Sequence, residues 1–192
     1  TRPEEAPDAA EEIELAFERG VPVAVDGERL EPVALIERVA EIGARHGVGI
    51  VDHIEDRIVG LKVRDIYEVP AAAILLPAHA ELERLVCTIH QNQFKADLDR
   101  QWGYLVYAGL WWEPLRKNLD AYMDSVNEYV TGTIGVKLYK GVARVVTRKS
   151  PHAVYDASLA SFNESGGLFS QQASPGFIEL FTLQSRLAHR LH

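Results

Sequence analysis

HGVGIVDHIEDRIVGLKVRDIYEVP, residues His46 to Pro70, is the stretch on which the reading of the whole chain turns. A β-branched run from Val48 to Ile54, interrupted by Asp52 and His53, meets Glu55-Asp56-Arg57. A second apolar run follows from Ile58 to Leu61, then Lys62, Arg64, Asp65, Tyr67 and Glu68. A strand pair serving only a core alternates apolar and polar side chains and has little use for two acids, an arginine and a histidine flanking one turn. The plainer alternative is an edge strand with a solvated charged turn.

Upstream of this stretch, Ile13, Leu15 and Phe17 alternate with acids, Arg19-Gly20 breaks the run, and Val21, Val23 and Val25 alternate again before Asp26-Gly27. Period and turn residues together predict a β-hairpin, and Pro22 places its second strand at an edge because proline lacks a backbone donor. Glu31-Pro32 opens a helix whose inner face is Leu35, Ile36, Val39, Ala40 and Ile42, with Gly47 as its stop. Downstream, Pro70 heads a second helix in which Pro77 should cause a kink or break. Residues 94–107 and 115–130 read as two more helices around the aromatic turn from Gly109 to Pro114. Leu115, Leu119, Tyr122, Met123 and Val126 form a core stripe at helical spacing. A second hairpin has Ile134, Val136 and Leu138 before Lys140-Gly141 and Val142, Arg144 and Val146 after it, with a bulge expected in the glycine-containing turn. From Ser150 to Ser174 the chain is turn-rich. The last segment is apolar at Ile178, Leu180, Phe181, Leu183, Leu187 and Leu191, which leaves open packing on its own core or on another subunit.

A chain of 192 residues with 47% apolar content can bury a proper core. Twenty basic against 28 acidic residues give a net charge of −8, and no basic patch is evident, which argues against nucleic acid as a partner. Cys87 is the only cysteine, so an internal disulfide or a cysteine-based zinc site is impossible, in keeping with a reducing compartment. No apolar run is long enough for a membrane span, and no basic-then-apolar leader opens the sequence. The opening TRPEEAPDAAEE, without Met, reads as a linker over residues 1–12. The seven histidines include no pair at zinc-helix spacing, and no Gly-x-Ser-x-Gly elbow exists.

With these residues in view, VDHIEDRIVGLKVRDIYEVP resembles the signature of the C-terminal, synthetase part of argininosuccinate synthase, Asp-x-x-Glu-[Asn/Asp]-Arg-x-[Val/Ile]-Gly-x-Lys-Ser-Arg-x-x-Tyr-Glu-x-Pro. Asp52, Glu55, Asp56, Arg57, Gly60, Lys62, Arg64, Tyr67, Glu68 and Pro70 stand in register. The stretch from Leu105 to Val146 is similar to the same family's Trp-x-x-Pro turn, helix and Val-Thr-Gly-Thr hairpin. Three positions depart: Ile50, Val63 and Thr147 stand where the pattern has Arg, Ser and Gly. The resemblance implies an α+β domain with two hairpins and packed helices around a mixed or antiparallel sheet. It divides the chain into a linker from an N-terminal ATP-binding domain (1–12), a synthetase domain (13–174) and a helical oligomerisation tail (175–192) that crosses to a neighbour in a homotetramer. The implied activity is cytoplasmic ligation of citrulline to aspartate in arginine biosynthesis, with ATP and magnesium held by the N-terminal domain and no cofactor, nucleic acid or membrane bound by this chain.

Ser165-Gly166-Gly167-Leu168-Phe169-Ser170 looks like the phosphate loop of that N-terminal domain, but it lacks the preceding strand and following helix that converge backbone N–H groups on an anion, and Phe169 replaces an Asp. Glu55 and Tyr67 remain. A carboxylate offers charge and acceptors to an ammonium, and a phenol offers a directed donor and acceptor, which suits a zwitterionic amino acid. In the family the matching positions help bind citrulline. The competing roles are an ion pair of Glu55 with Arg57 or Arg64, and an interfacial Tyr67 with a satisfied hydroxyl. A non-catalytic interaction module derived from the same family is the rival to the enzyme.

Overall fold

A computed structural model describes residues 1–157 and 169–191. Its first compact unit is Thr1–Val154. The expected first hairpin forms as β1 (Glu11–Glu18) and β2 (Val21–Val25), and a two-residue β3 (Glu28–Arg29) follows. Helix α1 (Pro32–Arg45), strands β4 (Ile50–Asp56) and β5 (Lys62–Glu68), helices α2 (Pro70–Val86), α3 (Ile89–Tyr107) and α4 (Pro114–Asn127), and strands β6 (Gly132–Tyr139) and β7 (Val142–Lys149) complete the unit. Five strands pair in the order β3-β2-β1-β6-β7, and β4 and β5 make a separate two-stranded sheet. Every pairing among the described residues is antiparallel, and the fold is α+β. No helix among the described residues is long and apolar enough to cross a membrane.

Two-residue turns with both central residues at positive φ join β1 to β2 (Arg19-Gly20), β2 to β3 (Asp26-Gly27) and β6 to β7 (Lys140-Gly141). Their twist matches that of the strands they join. One face of the larger sheet is buried: Ile13, Leu15 and Phe17 of β1 lie beside Ile134, Val136 and Leu138 of β6, under Leu35, Val39 and Ile42 of α1 and Ile74, Ala78 and Leu82 of α2. Each of these side chains other than Ala78 contributes about 1.5–3 kcal/mol by leaving water.

Several local expectations are corrected. Ile36 is half exposed rather than on the inner face of α1, because the buried set keeps the 35, 39, 42 spacing. Helix α2 does not break at Pro77; the exposed ring sits on the solvent side, while Ala78 and Leu82 stay buried. Helix α3 starts at Ile89, earlier than its apolar pattern implies, because Thr88 and Gln91 form a reciprocal capping box. In α4 only Leu119 and Val126 of the expected stripe are buried, and Leu115 is exposed. The bulge lies at Gly135/Val136 rather than in the turn. Leu138 pairs with Ala143, and Ala143 and Val145 join the core side of β7. Pro22 has no β3 partner, since β3 pairs only with Ala24 and Val25. Residues 1–12, read as a linker, hold a 3-10 turn at Pro3–Glu5, bury Ala6 and supply the start of β1.

Charge is also buried. Lys95 of α3 donates to Asp99 at 2.7 and 2.8 Å and sits 2.9 Å from Glu83 Oε1 of α2, at ion-pair contact but off the line of a hydrogen bond. Burial works against the ammonium, and its hydrogen bonds to Asp99 together with the adjacent Glu83 carboxylate overcome that, so its pKa is raised. His79, 3.5 Å from Glu83 and edge-on to Phe17, is held below the ordinary 6.5, first by burial and then by Lys95, against Glu83 and Asp99. An unfolded chain therefore takes up that proton more readily. The stability contributed by neutral His79 is present above pH 6.5 and is lost as pH falls through the depressed native value. Urea unfolding between about pH 7.5 and about pH 5.5 should weaken the wild type more than His79→Gln, and equal slopes would assign the acid loss elsewhere.

The second unit, Tyr155–His192, contains α5 (Ala173–Phe181) and α6 (Leu183–Leu191). Phe177 and Phe181 stack at 5.0 Å between ring centroids, and neither helix has a buried residue. The Ser165–Leu168 part of the phosphate-loop look-alike lies outside the described residues.

Candidate functional site

The β4–β5 hairpin is pinned at its base. The Val69 N–H donates to the Gly49 carbonyl at 2.9 Å, and Gly49 has φ +92° with Pro70 so close that an added Cβ would lie 2.5 Å from its Cα. Only glycine permits both that conformation and that approach. At the tip, the Arg57 N–H donates to the Leu61 carbonyl at 2.7 Å, with Gly60 at φ +85°. The register then follows: Val51 lies opposite Tyr67, His53 opposite Asp65 and Glu55 opposite Val63.

Because side chains alternate across a strand, this register sorts the hairpin into two faces. One carries Val51, His53, Glu55, Val63, Asp65 and Tyr67; the other carries Ile50, Asp52, Ile54, Asp56, Lys62, Arg64, Ile66 and Glu68. On the second face Arg64 binds Asp52 through two bonds of 2.8 and 2.5 Å, and Lys62 binds Asp56 at 2.5 Å. Arg64 therefore belongs to Asp52, whose carboxyl its hydrogen bond holds below the usual range, and is not a partner of Glu55.

Glu55 and Tyr67 come together on the first face. The Tyr67 hydroxyl donates to Glu55 Oε2 at 2.8 Å, with Asp65 Oδ2 at 3.4 Å. His53 Nε2 is 3.5 Å from the same Glu55 oxygen, and its ring centroid is 5.5 Å from that of Tyr67. Arg57 donates to Asp65 Oδ2 at 2.5 Å and stands 3.4 Å from Glu55 Oε1. The Glu55 carboxylate first, then partial burial and Asp65, push the Tyr67 phenol up to about 12, so it remains a neutral donor at physiological pH. Glu55 and then Asp65 raise Arg57. Two carboxylates and one guanidinium leave the face with one negative charge in excess, matched to a single ammonium. The Glu55 side chain is 16% exposed, so it is sheltered but reachable.

Sequence reasoning weighed Arg57 only as a competitor for Glu55 and passed over His53 and Asp65. Alternation counted from Glu55, with Gly60 in the turn, would have placed both on its face. The three departures separate in the same way. Ile50 is on the opposite face and Thr147 stands against Gly135 in the larger sheet, so only Val63, directly across from Glu55, lies within the candidate site. Among the described residues no group of three or more His, Cys, Asp or Glu is placed to hold a metal ion.

The Arginosuccinate synthase C-terminal domain family matches residues 1–188. Argininosuccinate synthase of Pyrococcus furiosus is 47% identical over 188 residues, 98% of this chain and 46% of that protein. The protein of the same name from Methanocaldococcus jannaschii is 50% identical over 181 residues, covering 94% of this chain and 45% of the relative. That of Streptococcus suis is 44% identical over 192 residues, 100% of this chain and 48% of the relative. The chain thus spans about half the length of the curated relatives it matches.

Proposed function

The chain belongs to the argininosuccinate synthase C-terminal domain family, and on that premise we propose that it is the citrulline-orienting part of an ATP-dependent carbon–nitrogen ligase of arginine biosynthesis. The observation that carries this reading is the Tyr67 hydroxyl bonded to a sheltered Glu55 on a face with one uncompensated negative charge. In the proposed reaction the ureido oxygen of citrulline attacks the α-phosphorus of ATP and pyrophosphate leaves; the amine of aspartate then displaces AMP. ATP with its magnesium, and most contacts to aspartate, are assigned to a nucleotide-binding half N-terminal to these residues.

The share of this chain is positional. Glu55 Oε1 receives the citrulline ammonium while Oε2 keeps the Tyr67 hydroxyl, whose oxygen can accept a further N–H from the ligand. Fixing the amino-acid end of citrulline restricts where its ureido end can lie, and restricting a reactant in that way removes part of the entropy barrier. The exposed Ile178, Phe181 and Leu187 support a tail that packs on a second copy, the assembly being a cytoplasmic homotetramer. The direct test combines this chain with a nucleotide-binding half of the family. Pyrophosphate release should then require both citrulline and aspartate, while the 192-residue chain alone should release none. Citrulline-dependent release by the chain alone would overturn the division of labour.

A further inference from the structure

We propose that Asp65 is a positioning residue that keeps the Arg57 guanidinium off Glu55, so that the Glu55 carboxylate stays open to a ligand ammonium. The inference rests on the reading of Glu55 as the ammonium acceptor and adds what keeps that acceptor available. Arg57, at the start of the turn, stands between two carboxylates. It donates to Asp65 at 2.5 Å, yet its Nε stops 3.4 Å from Glu55 Oε1 without a hydrogen bond. A guanidinium near a carboxylate favours a two-bond fork. Glu55 is the more sheltered acid, 16% exposed against 33% for Asp65, and attraction is stronger where water is scarcer. Without the Asp65 charge, Glu55 is the next anchor for Arg57. The fork would cap Oε1, and with the Asp65 charge gone the Glu55–Arg57 pair is neutral and leaves nothing for an ammonium to neutralise.

A merely structural role for the Arg57–Asp65 pair, as a staple across the turn, predicts the opposite pattern in combination. Under the positioning role, Asp65→Asn alone harms citrulline binding because a competitor is released. Removing that competitor as well, with Arg57→Met, restores binding. Under the staple role the second substitution repairs nothing.

The test is steady-state kinetics of the complete ligase with citrulline varied, for wild type, Glu55→Gln, Asp65→Asn and the Arg57→Met/Asp65→Asn double variant. Asp52→Asn, which breaks an ion pair on the opposite face, controls for general loosening of the hairpin. Asp65→Asn should raise the citrulline KM about 10-fold with kcat within about 2-fold. The double variant should return to within about 3-fold of wild type, the non-additivity expected of groups that act through one another. A KM unchanged in Asp65→Asn, a double variant as impaired as Asp65→Asn, or an Asp52→Asn effect of equal size overturns the inference. If Glu55→Gln is itself silent, the citrulline reading fails first; if it is impaired while Asp65→Asn is not, only the positioning role fails.

Discussion

Glu55→Gln in the complete ligase should raise the citrulline KM by about 10-fold or more, because hydrogen bonds to charged groups contribute roughly 1.5–3 kcal/mol. Glutamine keeps the length of the side chain and one acceptor, so the Tyr67 hydroxyl can still donate; what disappears is the charge facing the ammonium. Tyr67→Phe removes one hydroxyl from a carboxylate that retains its charge, and should cost about 0.5–1.5 kcal/mol, a factor of roughly 2 to 10 in KM. Both losses belong in KM, since the ammonium is held away from the reacting ureido oxygen, and a change in kcat would report misplacement of that oxygen. Unchanged citrulline kinetics in both variants would remove Glu55 and Tyr67 from the site.

The largest effect on stability is expected at Lys95. Its side chain and that of Glu83 are 9% and 10% exposed, and removing one partner of a buried ion pair leaves the other uncompensated, at a cost of about 3–5 kcal/mol. Lys95→Met should lower the urea midpoint accordingly with the slope unchanged. Glu83→Leu combined with Lys95→Met should recover much of the loss, because an apolar pair of similar volume needs no compensation. A loss below about 1 kcal/mol in Lys95→Met would mean that water reaches the pair and screens it. Asp99, more exposed at 45%, can relax toward solvent and is not expected to change the sign of either outcome.

What could be read in advance follows from the range of the interactions involved. Alternation and two-residue turns fix the hairpins locally, so β1–β2 and β6–β7 were legible from Ile13, Leu15 and Phe17 and from Lys140-Gly141. The capping box at Thr88 and Gln91 was equally local and was passed over because the apolar periodicity of α3 is weak there. Other features depend on partners distant in sequence. The bulge at Gly135/Val136 reflects how β7 must register on β6, and the burial of Lys95 depends on Glu83 of another helix. At the site, Glu55 and Tyr67 were found through residue chemistry and family likeness. His53 and Asp65 needed the register, which assigns side chains to faces and which no list of motif positions contains.

The central strand pair has a consequence for the making of the protein. Ile13 of β1 hydrogen-bonds in register with Val136 of β6, so the middle of the sheet joins a segment near the start of these residues to one translated far later. Until the ribosome has delivered β6, β1 presents an unpaired edge, and such edges recruit other nascent chains. Contacts between distant segments also slow folding. The acids that alternate with those apolar residues, Glu12, Glu14 and Glu18, keep the waiting edge charged on its other face. Neutralising them should therefore lower the soluble yield of newly made protein before it changes the stability of the finished fold.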